Sequence, residues 1–281
     1  MPGLIHSIRC LVVVWLGVVA LMIPSAFGQE KEKVADMRER FADIAQRYQI
    51  LEGTQPDGRP LALIKQPVLN WNNPERQTQA GALFFWTRGG RPAVALCIYP
   101  SGESHFDFEF QSLADFPISG NSGGPTLWEP NEHGITWNAL PAAASPGAGA
   151  AMRLRQMRSL ARQFTAALRP PDKPPRPLRM LAAPVYRYKA SGVSDTLIDG
   201  AVFSFVLGTD PEALLMLEAI KNDKGEAGWR YSLARMTMVP SAIRHNGEIV
   251  WQTEWASSNR YSPYFVVHNQ EQDDAEITVF E

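Results

Sequence analysis

Cysteine is nearly absent: the 281 residues hold two, and one of them, Cys10, lies in an amino-terminal apolar run. With that run set aside, Cys97 has no partner within the chain, so no intramolecular disulfide is available and the fold must be held by its cores. Cys97 itself sits in the apolar stretch Ala93 to Tyr99, where a thiol serves as a small buried hydrophobe. A basic excess is missing too. Twenty-seven Lys and Arg face 29 Asp and Glu, a formal net charge of −2, which gives no support to a nucleic-acid role. No apolar run reaches the roughly 20 residues of a membrane-spanning helix. Phosphate loops, zinc-ligand spacings and dinucleotide fingerprints are all lacking, so the sequence implies no cofactor and no metal.

What is there is ordinary globular material, 45% hydrophobic and 20% charged, long enough for two domains. Arg9 precedes the apolar run Cys10 to Ile23, Pro24 ends it, and Ala26-Phe27-Gly28 supplies small residues at a cleavage position. Residues 1–28 therefore read as a secretory signal peptide. The expectation is an exported protein, periplasmic or extracellular, with no permanent membrane span after cleavage.

The remainder reads as a tandem repeat. Gly81 to Ile98 recurs, altered, as Gly200 to Leu217 at an offset of 119 residues, with Phe84 on Phe203, Gly89 on Gly208, Pro92 on Pro211 and Leu96 on Leu215. Each copy has two apolar runs around a Gly-to-Pro turn, the punctuation of a hairpin. Ahead of the first copy, Val34, Met37, Phe41, Ile44, Tyr48 and Leu51 fall on one stripe of a helix over 30–52, which Gly53 should stop. Ahead of the second, Leu154, Met157, Ala161, Phe164 and Leu168 do the same over 150–169. The segment from Arg59-Pro-Leu to Trp71 matches that from Arg176-Pro-Leu to Tyr188, and Gly124 to Trp128 matches Gly247 to Trp251. An order kept while the offset drifts only from 116 to 123 points to duplication. The expected fold is α+β, a repeated unit of one helix on an antiparallel sheet of about five or six strands. Its divisions are the leader 1–28, a first unit 29–140, a Pro/Ala/Gly linker 141–149 and a second unit 150–281.

Four features could carry chemistry. Gly120-Asn-Ser-Gly-Gly-Pro125 looks like a serine nucleophile loop, yet no suitable His and Asp flank it and strand-like residues follow Pro125, so Ser122 reads as a turn residue. His105, Asp107 and Glu109 share one face of a strand, but about 7 Å apart, too far to meet one ion without a bulge; with Phe residues opposite, that face reads as a solvated outer one. Arg153, Arg155, Arg158, Arg162 and Arg169, with Lys173, Arg176 and Arg179, make the second helix and its exit basic. Such a surface is a solvated face or a dock for an anionic envelope component. Trp128, Trp137, Trp229, Trp251 and Trp255 are core or sheet-face residues, or else a carbohydrate platform or an apolar groove.

Arg153 to Phe164, Gly208 to Glu218 and Trp229 to Met236 resemble segments of an uncharacterised family of secreted proteins from planctomycete-type bacteria. That resemblance implies export and no activity. The expectation is therefore a binding or interaction module with no catalytic, cofactor-binding or metal-binding residues. Two alternatives stay open: a periplasmic carrier holding an apolar ligand between helix and sheet, and an envelope hydrolase.

Overall fold

A computed structural model describes residues 24–54, 57–102, 105–189 and 196–271. The apolar run of the expected leader lies outside them, and among the described residues no helix is long and apolar enough to cross a membrane.

In chain order, the first half holds α1 (Pro24–Arg47), β1 (Gln49–Glu52), β2 (Arg59–Pro60), β3 (Ala62–Leu63), β4 (Leu69–Asn73), β5 (Thr78–Arg88), β6 (Arg91–Pro100), β7 (His105–Ser112), β8 (Ile118–Asn121) and β9 (Asn138–Ala139). The second holds α2 (Ala150–Ala161), β10 (Phe164–Leu168), β11 (Arg176–Met180), β12 (Tyr186–Tyr188), β13 (Leu197–Leu207), β14 (Asp210–Lys221), β15 (Ala227–Arg235), β16 (Ser241–His245), β17 (Glu248–Thr253) and β18 (Tyr264–Glu271). The described residues are thus mostly antiparallel β with two helices. Among the described residues the strands form three sheets, of three (β2-β1-β8), six (β18-β7-β6-β5-β3, with β4 also on β5) and nine strands (β17-β16-β10-β11-β13-β14-β15-β9, with β12 also on β13).

The two long hairpins stand at the centre. In β5 and β6, Ala82, Phe84, Trp86, Val94, Leu96 and Ile98 turn to the side where α1 packs, while Leu83, Phe85, Ala95 and Cys97 turn to the opposite side. In β13 and β14, Ala201, Phe203, Phe205, Leu215 and Leu217 turn towards α2, while Val202, Leu214 and Met216 turn away. The residues turned away from both helices merge into one core, so the layers run helix, sheet, sheet, helix. Burial on both faces is why each hairpin strand reads as an unbroken apolar run instead of an alternating one.

The pairing registers of the two halves correspond. Phe84 opposite Leu96 becomes Phe203 opposite Leu215, and each hairpin has an irregularity at the matched step, Trp86/Thr87 and Phe205/Val206, the second having a further one at Leu197/Asp199. Leu63 opposite Trp86 corresponds to Met180 opposite Phe205, and Trp71 opposite Gly81 to Tyr188 opposite Gly200. Ile50 opposite Gly120 corresponds to Ala166 opposite Ile243, and the Gly120–Trp128 bridge to Ile243 opposite Trp251. The outermost strands are exchanged. β18, late in the chain, pairs with β7 of the first half, and β9, at the end of the first half, pairs with β15 of the second.

Several expectations are corrected. The helix over 30–52 ends at Arg47, so Tyr48 and Leu51 lie beyond it; Gly53 stands in the turn after β1 with φ of 89°. The helix over 150–169 ends at Ala161, and Phe164 and Leu168 belong to strand β10. Both errors share a cause: a strand that follows a helix at once and buries residues under the same core continues the apolar count without the helical backbone. One sheet has six strands, within the expected five or six, but among the described residues it is accompanied by a separate sheet of three and one of nine.

Candidate binding cleft

β7 does not present its polar side to solvent. Phe106, Phe108 and Phe110 pack towards α1, with Phe106 against Phe41 at 5.3 Å and Phe110 against Tyr48 at 5.1 Å. The opposite side meets the second half: Asp107 is buried and accepts from His268 Nδ1 of β18 at 3.0 Å, while Glu109 binds Tyr99 Oη at 3.1 Å. The solvated outer face expected for His105, Asp107 and Glu109 is therefore corrected: His268 of the neighbouring strand covers Asp107, and the second sheet brings Asp210 and Glu212 near Glu109, while His105 is half-buried. Among the described residues no group of His, Cys, Asp and Glu is placed to hold a metal ion.

Two polar clusters tie the halves together. In the first, Arg91 of β6 forks onto Glu218 of β14 at 2.7 and 2.9 Å, Arg230 Nε reaches the same carboxylate at 2.8 Å, and Tyr188 Oη donates to it at 2.9 Å. Both guanidinium groups lie against the Trp137 ring, Arg91 at 4.6 Å and Arg230 at 4.3 Å. In the second, Arg76 spans Asp210 at 2.8 Å and Glu212 at 2.7 Å, and Asn73 donates to Asp210 at 2.9 Å. Burial, then the neighbouring Glu212 charge, outweighs Arg76 and pushes the Asp210 carboxyl up to about 7. Glu109 keeps some solvent contact, yet enough protein surrounds it that desolvation, followed by the charges of Asp210 and Glu212, pushes it up to about 8.

Beside these clusters a cleft of about 330 Å³ opens between the halves. Gln111, Gly134, Ser262 and Tyr264 line one wall, and Arg235, Trp251, Trp255 and Ser257 the other. Trp255 is 57% exposed, the most exposed large apolar side chain among the described residues. Its backbone is nevertheless fixed on both sides: Arg235 Nη2 donates to Glu254 O at 3.1 Å, and Ala256 N donates to Met238 O at 2.9 Å. The same guanidinium binds Thr237 O and Met238 O, at 2.8 and 2.9 Å, and lies over the Tyr264 ring at 5.1 Å. Among the described lining residues there is no Asp, Glu, His, Cys or Lys.

The other singled-out residues are dispersed. Ser122 occupies the turn after β8, where Gly123 has φ of 89°, the position held by Asn246 and Gly247 between β16 and β17. A depression beside that turn is lined by Gln49, Asn121 and glycines, with no base. The basic helix is partly spent internally. Arg153 pairs with Asp199 at 2.8 Å, Arg169 binds Gln252 at 2.9 Å, Arg176 pairs with Glu75, and Arg179 binds Gly208 O at 2.8 Å. Of the tryptophans, Trp128 and Trp229 are buried and donate to Ser262 O and Ala144 O, both at 2.9 Å, which leaves Trp251 and Trp255 at the cleft. Arg235 and Gln111 carry little signature in the sequence: the one signal is an Arg without an acid at helical or strand spacing. In comparisons with protein-family models, curated proteins and solved structures, nothing matches this chain.

Proposed function

We propose that this chain is an exported, non-enzymatic binding protein made of two related units, with its ligand seat in the cleft between them. The observation that carries this reading is Trp255, a large aromatic held exposed at the mouth of a cleft by hydrogen bonds on both flanking peptides. Scattered exposed apolar residues are normal. One whose backbone is fixed has lost freedom before any partner arrives, which lowers the cost of binding.

The rest of the reading has its own support. The matched registers of the two halves favour descent from one duplicated unit, since loop insertions change offsets while leaving paired residues opposite one another. Export rests on the leader-like residues 1–28. The carrier alternative is disfavoured by packing: Phe41, Tyr48, Met157 and Phe164 are all buried, so the layers between helix and sheet are filled. The hydrolase alternative is disfavoured because the cleft's serines, Ser257 and Ser262, have no Asp, Glu, His or Lys among its described lining to activate them.

The test is a fluorescence titration of the full chain with sugars, amino acids and nucleosides, followed by chromatography of each mixture. Binding that shifts tryptophan emission, is lost in Trp255→Ala and leaves the ligand intact is the expected result. Turnover of a ligand would contradict the non-enzymatic reading.

A further inference from the structure

Resting on that reading of the cleft, we infer that its ligand is a neutral pyranose ring of a glycan, stacked on Trp255. The indole face is electron-rich and flat, and it suits the polarised C–H bonds on the face of a pyranose. Around it are groups that suit hydroxyls. Ser257 and Ser262 line the cleft, and Gln111, whose amide nitrogen is held by Ser112 O at 2.7 Å, has its amide oxygen left for a ligand donor.

Other ligand classes fit less well. A wholly apolar ligand would bury these serines and the amide without partners, at the cost of their desolvation. An anion would look to Arg235, the only charged lining residue described, but that guanidinium already donates to the carbonyls of Thr237, Met238 and Glu254. It acts as a brace for the two loops: with Nε and Nη2 both engaged only Nη1 remains, so the paired nitrogens that would fork onto a carboxylate or phosphate are not available. A neutral polyhydroxylated ring uses both the flat aromatic and the uncharged polar edge. The volume of about 330 Å³ lies at the small end of ligand sites, enough for a short stretch of a chain rather than a long one.

The test is isothermal titration calorimetry on the full chain, wild type, Trp255→Ala and Trp255→Phe. One arm uses cellopentaose, the chitin pentamer and maltopentaose; the other uses adenosine and tryptophan amide. At least one pentasaccharide is expected to bind, about tenfold or more weaker in Trp255→Ala, with partial recovery in Trp255→Phe. Because Trp255 is exposed, circular dichroism of both variants should match the wild type. Binding of adenosine or tryptophan amide at Trp255, with none of any sugar, would overturn the glycan assignment and leave the cleft reading standing. Sugar binding indifferent to Trp255→Ala would overturn the assignment as well. Silence in both arms would overturn the cleft reading itself.

Discussion

The indole of Trp71 occupies the space where a β-carbon on Gly81 would stand: such an atom would lie 2.3 Å from the ring. Tyr188 does the same to Gly200, at 2.4 Å. In each half the strand paired alongside the hairpin lays an aromatic on a glycine, and both aromatics belong to the core shared by the two sheets. Gly81→Ala and Gly200→Ala should therefore each destabilise by about 1–3 kcal/mol or more, the range for overpacking. Thermal melts check this. Trp71→Leu placed with Gly81→Ala should recover part of the loss, because the obstructing ring is gone.

Glu218 is fully buried and holds Arg91 from the other half together with Arg230. Glu218→Gln leaves two guanidinium groups facing a neutral amide and should cost about 3–5 kcal/mol, as for other broken buried pairs. Arg91→Met should cost less, since Arg230 and Tyr188 still satisfy the carboxylate. Urea unfolding of the two variants gives the comparison.

Stability should fall as pH rises. Glu109 and Asp210 have folded-state values raised to about 8 and about 7, above their ordinary carboxylate values. The folded state therefore holds these protons more tightly than the unfolded chain, and that advantage is lost between about pH 4 and pH 8. The melting temperature should be higher at pH 5.5 than at pH 8.5. Glu109→Gln should flatten the difference by raising the value at pH 8.5, where the wild type carries a charge close to Asp210 and Glu212. A melting temperature that climbs steadily from pH 5.5 to 8.5 would contradict the assignment.

β18 closes the first sheet from the far end of the chain, burying Phe265 and Val267 with Phe110 and its neighbours. Truncation after Pro263 should loosen the first half as well as the carboxyl terminus. Hydrogen exchange would then rise in β7, far away in sequence, and a change confined to residues near the cut would count against the exchange of outer strands.

The hairpins were legible because Gly89, Pro92, Gly208 and Pro211 bound apolar runs of strand length. The helices were legible in position but not in extent, since Tyr48 and Phe164 keep the helical count while the backbone has turned to coil and strand. The inward side of β7 was not legible. His105 to Phe110 alternates as a half-buried strand does, and nothing local says that His268, from far along the chain, covers Asp107 or that Asp210 and Glu212 of the second sheet come near Glu109. The cleft depends on Ser262 and Tyr264 returning to β7 opposite Trp251 and Trp255, a juxtaposition made by the exchanged strand rather than by any local pattern.

The most direct measurement of where this protein takes a ligand is 19F NMR of the chain labelled with 5-fluorotryptophan, titrated with the pentasaccharides and assigned by single Trp→Phe substitutions. The resonances of Trp251 and Trp255 should move together, while those of Trp71, Trp86 and Trp128, buried in the cores, stay in place. Movement of Trp86 or Trp128 with Trp255 stationary would place the ligand between helix and sheet and contradict a cleft between the halves.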